Sequence, residues 1–173
     1  MPYRFYRNTQ SPALPTLVLV TTLVLATTIF SPLLFAADAP TFELPADENT
    51  ISLNQLQGSV VYLDFWASWC TPCRKSFPWM NKIQSKYKDK GLVVVAVNLD
   101  KSKSKADDFL KEFDRNFIVA FDPEGKTAES YKVMGMPSSY LIDRKGQLHL
   151  SHIGFRESDT EKLESKIREL LKQ

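Results

Sequence analysis

Hydrophobic and polar positions change rhythm several times along this 173-residue chain. Residues 14–37 are mostly Leu, Val, Ala, Thr and Phe and carry no charge. Weak strand signals follow at Thr41–Leu44 and Ile51–Leu53, on either side of the polar Asp47-Glu48-Asn49, and predict an N-terminal hairpin-like extension. Val60–Trp66 is almost continuously apolar, broken only by Asp64, the pattern of a central strand buried on both faces. Cys73, Phe77, Met80, Ile83 and Tyr87 then recur close to helical spacing, with Pro78 inside the run, where a kink is expected. Gly91 closes that helix, and Leu92–Val97 is a second buried strand. Ala106, Phe109, Leu110 and Phe113 mark another helix by spacings of three and four. Phe117–Ala120 reads as a short strand, Asp122–Gly125 as a turn and 127–133 as a short helix. Ser139–Ile142 and Gln147–Ile153 are strands joined through Asp143-Arg144-Lys145-Gly146, a hairpin turn by composition. Ser158 and Glu161 have the spacing of a capping box opening a last helix, whose buried face is Leu163, Ile167, Leu170 and Leu171. Strands alternating with helices and closing on a hairpin fit an α/β sandwich, a central mixed β-sheet flanked by helices.

Charge divides the chain in two. Arg4 and Arg7 are the only charged residues before Asp38. A basic start followed by an apolar run reads as an export signal, but the run is long enough to span a bilayer. Cleavage after Ala36 or Ala37 leaves bulky Leu34 or Phe35 at minus three, and cleavage after Ala39 leaves Pro40 behind the bond. Residues 1–37 are therefore a signal peptide or a retained N-terminal membrane anchor, and both export the remainder to a periplasmic or other extracytoplasmic space. No cysteine precedes Cys70, which excludes a lipid-modified N-terminal cysteine. Residues 38–173 are one domain by size. All 20 acidic residues lie there with 20 of the 22 Lys and Arg, so it is formally neutral. That balance gives no reason to expect a nucleic-acid partner, and contact with a membrane is expected only through an uncleaved leader.

Chemistry concentrates at Cys70-Thr71-Pro72-Cys73, which holds both cysteines of the chain. The pair lies where an apolar strand gives way to a helix, placing Cys70 at the helix N-terminus. Unpaired backbone N–H groups and the helix dipole there favour an anion, so a Cys70 thiolate is stabilised. Three residues are nearly one helical turn, which brings Cys73 within reach of Cys70. The pair can close into a disulfide or open to a dithiol. The alternative is a structural staple, normal in exported proteins, but bridging two intervening residues removes little entropy from the unfolded chain. Metal readings fail on spacing. His149 and His152 lie about 75 residues downstream and are expected on opposite faces of a strand, at the surface. Arg74 stands where covalent haem attachment needs histidine. No metal or cofactor is expected.

The segment Phe65-Trp66-Ala67-Ser68-Trp69-Cys70-Thr71-Pro72-Cys73-Arg74 resembles the thioredoxin superfamily, and in particular its exported TlpA/ResA-like thiol-disulfide oxidoreductase branch. A second signature, Gly135-Met136-Pro137-Ser138-Ser139-Tyr140-Leu141-Ile142-Asp143, matches the family's cis-proline segment. The likeness runs from about Ala39 to the C-terminus. It implies a thioredoxin-like fold in which the hairpin is the branch's N-terminal β extension and 101–121 its central helix–strand insertion. It also implies a cis Met136–Pro137 bond that exposes the Met136 backbone to an extended substrate segment.

Roles follow from the two readings together. Cys70 attacks a substrate disulfide and Cys73 attacks Cys70 to release the reduced product. Asp64, six residues before Cys70, stands at the offset of thioredoxin's buried aspartate. Burial in an apolar strand is expected to raise its pKa, making it the candidate base for Cys73; pairing with a lysine or a backbone amide is the structural alternative. TlpA-like proteins often carry a non-ionisable residue there, so this chain departs toward thioredoxin itself. Trp69 is a rim residue that touches partners, and Trp66 packs beneath the loop. Thr71 and Pro72 tune the couple, while Arg74 and Lys75 either favour the thiolate or are solvated helix charges. The resemblance points to reduction of protein disulfides, with apocytochrome c or a copper-site assembly protein as substrate and a DsbD- or CcdA-like membrane protein as electron donor. A dithiol oxidase or isomerase, or a binding or chaperone module with a structural disulfide, remains the alternative.

Overall fold

Residues 37–47 and 49–173 are described by the computed structural model. The leader read over residues 1–37 lies outside them except for Ala37. In chain order the strands and helices are β1 (Ala37–Asp38), β2 (Glu43–Pro45), β3 (Thr50–Ser52), β4 (Val60–Trp66), α1 (Thr71–Tyr87), β5 (Leu92–Asn98), α2 (Lys103–Leu110), β6 (Ile118–Phe121), α3 (Lys126–Ser130), β7 (Ser138–Ile142), β8 (Gln147–Ile153) and α4 (Thr160–Leu170). Among the described residues no helix is long and apolar enough to cross a membrane.

Six strands form one sheet in the order β1-β8-β7-β4-β5-β6. β4, β5 and β6 run parallel, and β7, β8 and β1 are added antiparallel. β2 and β3 pair as a separate hairpin, tied to β6 by an antiparallel bridge between Ala46 and Ala120.

Every residue of β4 is buried because both faces of the sheet are covered. Val60, Tyr62 and Trp66 pack with α1, α2 and α4 through Phe77, Met80, Ile83, Phe109, Leu163 and Ile167. Val61, Leu63 and Phe65 pack on the other face with Phe42 and Leu44 from the hairpin, Leu53 and Leu56 from a 3-10 turn, and Ala128 of α3. The N-terminal extension thus supplies about a third of the buried residues of the second core layer, Ala39 included. Strand alternation puts Asp64 on the α1 face, two residues from Tyr62 and from Trp66.

Local chemistry departs from the pattern in three places. Ser158 does not cap α4: a 3-10 turn, Glu157–Asp159, precedes the helix, Asp159 is its N-cap without a side-chain bond, and Glu161 pairs with Arg168. A capping box forms instead between Ser52 and Gln55, at the 3-10 turn Leu53–Leu56. In β8, the register slips so that Leu150 faces Leu141 and Leu148 faces Ile142, leaving His149 as an extra residue. This bulge turns Leu148 and Leu150 onto opposite layers, a reversal that strict alternation does not allow. The α1 helix continues through Pro78, which lacks the N–H that would bond the Arg74 carbonyl.

Candidate active site

Ala67–Cys70 links β4 to α1, and the Cys70 N–H closes a turn onto the Ala67 carbonyl at 3.0 Å. Cys70 is the N-cap of α1, with extended backbone angles (φ −85°, ψ 101°). Its Sγ accepts the Cys73 N–H at 3.3 Å. Pro72 occupies the first turn, where a missing N–H costs nothing because no helical partner exists. The two sulfurs are bonded to each other. Cys70 keeps 4% exposure and Cys73 none, so the sulfur accessible to a substrate is Cys70. When the pair is reduced, the helix end and the Cys73 N–H both favour the thiolate of Cys70, by roughly 0.3–2 kcal/mol for the dipole and about 1.5–3 kcal/mol for a hydrogen bond to a charged acceptor.

The loop before Cys70 is pinned from β5. Asp100 accepts the Ser68 N–H at 2.8 Å and the Ser68 hydroxyl at 2.9 Å, while the Asn98 amide donates to the same carboxylate at 2.8 Å. The Leu99 N–H bonds the Trp66 carbonyl. Asp100→Ala leaves these donors without their acceptor. It is expected to lower stability by about 1–3 kcal/mol, measured by urea unfolding, and to slow exchange at Cys70 through a looser loop.

Asp64 is fully buried. Its Oδ1 accepts the Ser139 hydroxyl at 2.7 Å, and Ser139 in turn accepts the Tyr62 hydroxyl at 2.6 Å. Its Oδ2 is buried without a hydrogen-bond partner. Among the described residues no lysine or backbone amide bonds the carboxylate. Burial pushes the Asp64 carboxyl up to about 7, against a smaller lowering by the Ser139 hydroxyl. Burial likewise raises Tyr62 well above the usual phenol range.

The remaining candidates surround the cysteines unevenly. Trp69 is 70% exposed, and Thr71 and Pro72 are exposed beside it. Trp66 is buried, its ring 4.9 Å from Phe77 and 4.7 Å from Phe109. Arg74 forms a bidentate pair with Glu112 at 2.6 and 3.0 Å and lies 4.7 Å over the Phe109 ring, so its charge is already partnered; Lys75 is exposed. Ser138 stands opposite Phe65 in the sheet, which brings Pro137, buried, to the same sheet end as the cysteine loop. The Met136–Pro137 bond is cis. Met136 packs partly against the cluster that contains Cys70 and Cys73, and among the described residues its N–H and C=O bond no other group. The histidines are half-buried rather than at the surface. His149 lies 2.7 Å from Asp143, and His152 Nε2 sits 3.4 Å from Asp159 without hydrogen-bond geometry.

The redoxin family matches residues 36–169. The chain belongs to the redoxin family. This redoxin is 37% identical over 134 residues to a thiol-disulfide oxidoreductase ResA of Bacillus cereus, covering 77% of this chain and 76% of that protein. It is 38% identical over 115 residues to the ResA of Oceanobacillus iheyensis, a match that covers 64% of this chain but only 60% of the length of that relative. Among solved structures, a Chlorobium tepidum protein described as a thiol:disulfide interchange protein DsbE superposes with a TM-score of 0.78 at 54% identity, covering 79% of this chain and 97% of the other. The fold is therefore thioredoxin-like, and the chemistry of the cysteine pair is thiol–disulfide exchange.

Sequence reasoning missed Ser139 and Tyr62, and also Asp100 with its partners Ser68 and Asn98. A signal existed for Ser139: two hydroxyl residues open an otherwise apolar strand. None existed for Asp100, whose partner lies 32 residues away in sequence.

Proposed function

We propose that this redoxin is an extracytoplasmic reductant of protein disulfides. The Cys70 thiolate attacks one sulfur of a substrate disulfide, forming a mixed disulfide and expelling the other sulfur as a thiolate that takes a proton. Cys73, deprotonated by Asp64 Oδ2, attacks Cys70 and releases the second substrate thiol. The protein is left with the Cys70–Cys73 disulfide, and two electrons have passed to the substrate. The observation that carries this reading is a sulfur at a helix N-terminus, accepting a backbone N–H, on the same sheet face as a fully buried carboxyl with one unpartnered oxygen, which burial pushes up to about 7.

Trp69, Thr71, Pro72 and the unpaired backbone of Met136 form the proposed substrate rim, the last by adding an extended substrate segment as a short strand. Apocytochrome c and copper-site assembly proteins are the proposed substrates and a DsbD- or CcdA-like membrane dithiol the proposed electron source, on the strength of the TlpA/ResA resemblance. The leader at residues 1–37 supports export, as signal peptide or as anchor.

Direction is a question of potential. Equilibration with glutathione redox buffers is expected to give a value well below that of a strong oxidant, toward the thioredoxin figure of about −270 mV. A value near −120 mV, that of a strong dithiol oxidase, would reverse the assignment.

A further inference from the structure

The mechanism uses the Asp64 carboxyl but leaves its two neighbours without a role. Tyr62 and Ser139 are buried on the α1 face, and neither sits beside an apolar partner alone: the Tyr62 hydroxyl donates to Ser139 Oγ at 2.6 Å, and the Ser139 hydroxyl donates to Asp64 Oδ1 at 2.7 Å. Tyr62 is wedged edge-on against Trp79, ring centroids 5.4 Å apart. A phenol held this way has one acceptor for its proton. Because Ser139 receives that proton on a lone pair, its own proton is committed to Asp64.

We infer that Tyr62 and Ser139 are positioning residues, a fixed two-donor chain that sets the proton affinity of Asp64 and reserves Oδ2 as the atom that takes up the Cys73 proton. This deepens the proposed mechanism and rests on its reading of Asp64 as the base. Oδ1 is occupied by a donor, so protonation there requires the Ser139 hydroxyl to turn away. Oδ2 is buried and unpartnered, hence open to a proton. The donor on Oδ1 favours the charged carboxylate and opposes the larger effect of burial, holding the group lower than burial alone would. Among the described residues no charged side chain bonds Asp64. β5 places Ala96 beside Asp64 and β7 places Ser139. α1 contributes Cys73 to this face, α4 contributes Leu163 and Ile167, and Tyr62 is the titratable group on the same strand. Glu164 of α4 is engaged by Lys86 and Tyr87.

The test is a carbon-detected NMR titration of the Asp64 carboxyl in the full chain, with the pH profile of mixed-disulfide resolution measured on the same variants. Ser139→Ala is expected to raise the Asp64 midpoint by about one pH unit, tenfold in proton affinity. Ser139→Thr, which keeps the hydroxyl, is expected to restore it. Tyr62→Phe is expected to move it in the same direction by less, and serves as the deciding variant if Ser139→Ala does not fold. An unmoved or lowered midpoint in these hydroxyl-deleted variants would overturn the inference. A midpoint that rises while the resolution profile stays fixed would uphold the donor chain and instead remove Asp64 as the base.

Discussion

Cys70→Ser is expected to reduce turnover of a disulfide substrate to the background rate, while Cys73→Ser halts the reaction half-way and accumulates a mixed disulfide on Cys70. The asymmetry follows from the geometry. Of the two sulfur residues only Cys70 keeps any accessible surface, and it alone receives the Cys73 N–H at the start of α1. A hydroxyl there is not appreciably ionised, so the helix end has no anion to stabilise. Cys73 is fully buried and reaches only Cys70, so its loss spares the first attack and removes the second. Insulin reduction distinguishes the variants, and mass spectrometry counts the trapped adduct. Substantial reduction by Cys70→Ser would mean that the site described here is not the reacting one. Alkylation of the reduced protein supplies the complementary measurement: Cys70 is expected to react at pH values below the ordinary thiol range and Cys73 only above them. Two equally slow thiols would remove the physical basis of the assignment.

Asp64→Asn is expected to slow resolution and to stabilise the fold, two effects of opposite apparent sign from one cause. A positioned base contributes roughly 10²–10⁴-fold, so a decline of about 10²-fold or more at pH 7 is expected, with the inflection near 7 lost from the profile. The stability effect comes from linkage. The folded pKa, about 7, lies above the ordinary value of 3.8, so between these values the folded state binds more protons than the unfolded one. Stability is therefore fullest below about pH 4 and falls as pH rises toward 7 and beyond. Three units at 1.36 kcal/mol each amount to about 4 kcal/mol, less about 1–3 kcal/mol for burying a poorly paired asparagine amide. Asp64→Asn should then gain about 1–3 kcal/mol at pH 8 relative to the native chain, and by pH 4, where the native carboxyl is protonated, the sign should reverse to a loss of about 1–3 kcal/mol. Urea unfolding at the two pH values checks this. An asparagine variant that is no more stable at pH 8 would mean that Asp64 does not titrate near neutrality.

Much of this was written locally. The continuous apolar run of β4 reads as a strand covered on both faces, and the structure buries all seven of its residues. Cys70 and Cys73 sit three apart at a strand-to-helix switch, and neighbours that close in sequence have few alternatives. Even so, local signals misled where several short elements compete. Ser158 and Glu161 have capping-box spacing, yet the 3-10 turn Glu157–Asp159 takes the first turn and leaves Glu161 to Arg168. The half-buried state of His149 depends on a bulge in β8 that periodicity cannot announce.

By itself the sequence determined the α/β alternation, the redox pair and the helix end that activates it, because each depends on residues within a turn or two of one another. Only the tertiary structure decided what surrounds the acid. Ser139 lies 75 residues from Asp64, and its hydroxyl reaches Oδ1 only because β7 pairs antiparallel with β4 in one register. It likewise decided that Asp100 pins the cysteine loop and that Arg74 is occupied by Glu112, since β5 and α2 must first be packed beside α1. Spacing along a chain fixes what neighbouring backbone groups can do; the register of distant strands fixes which buried polar atoms find a partner and which are left open to a proton.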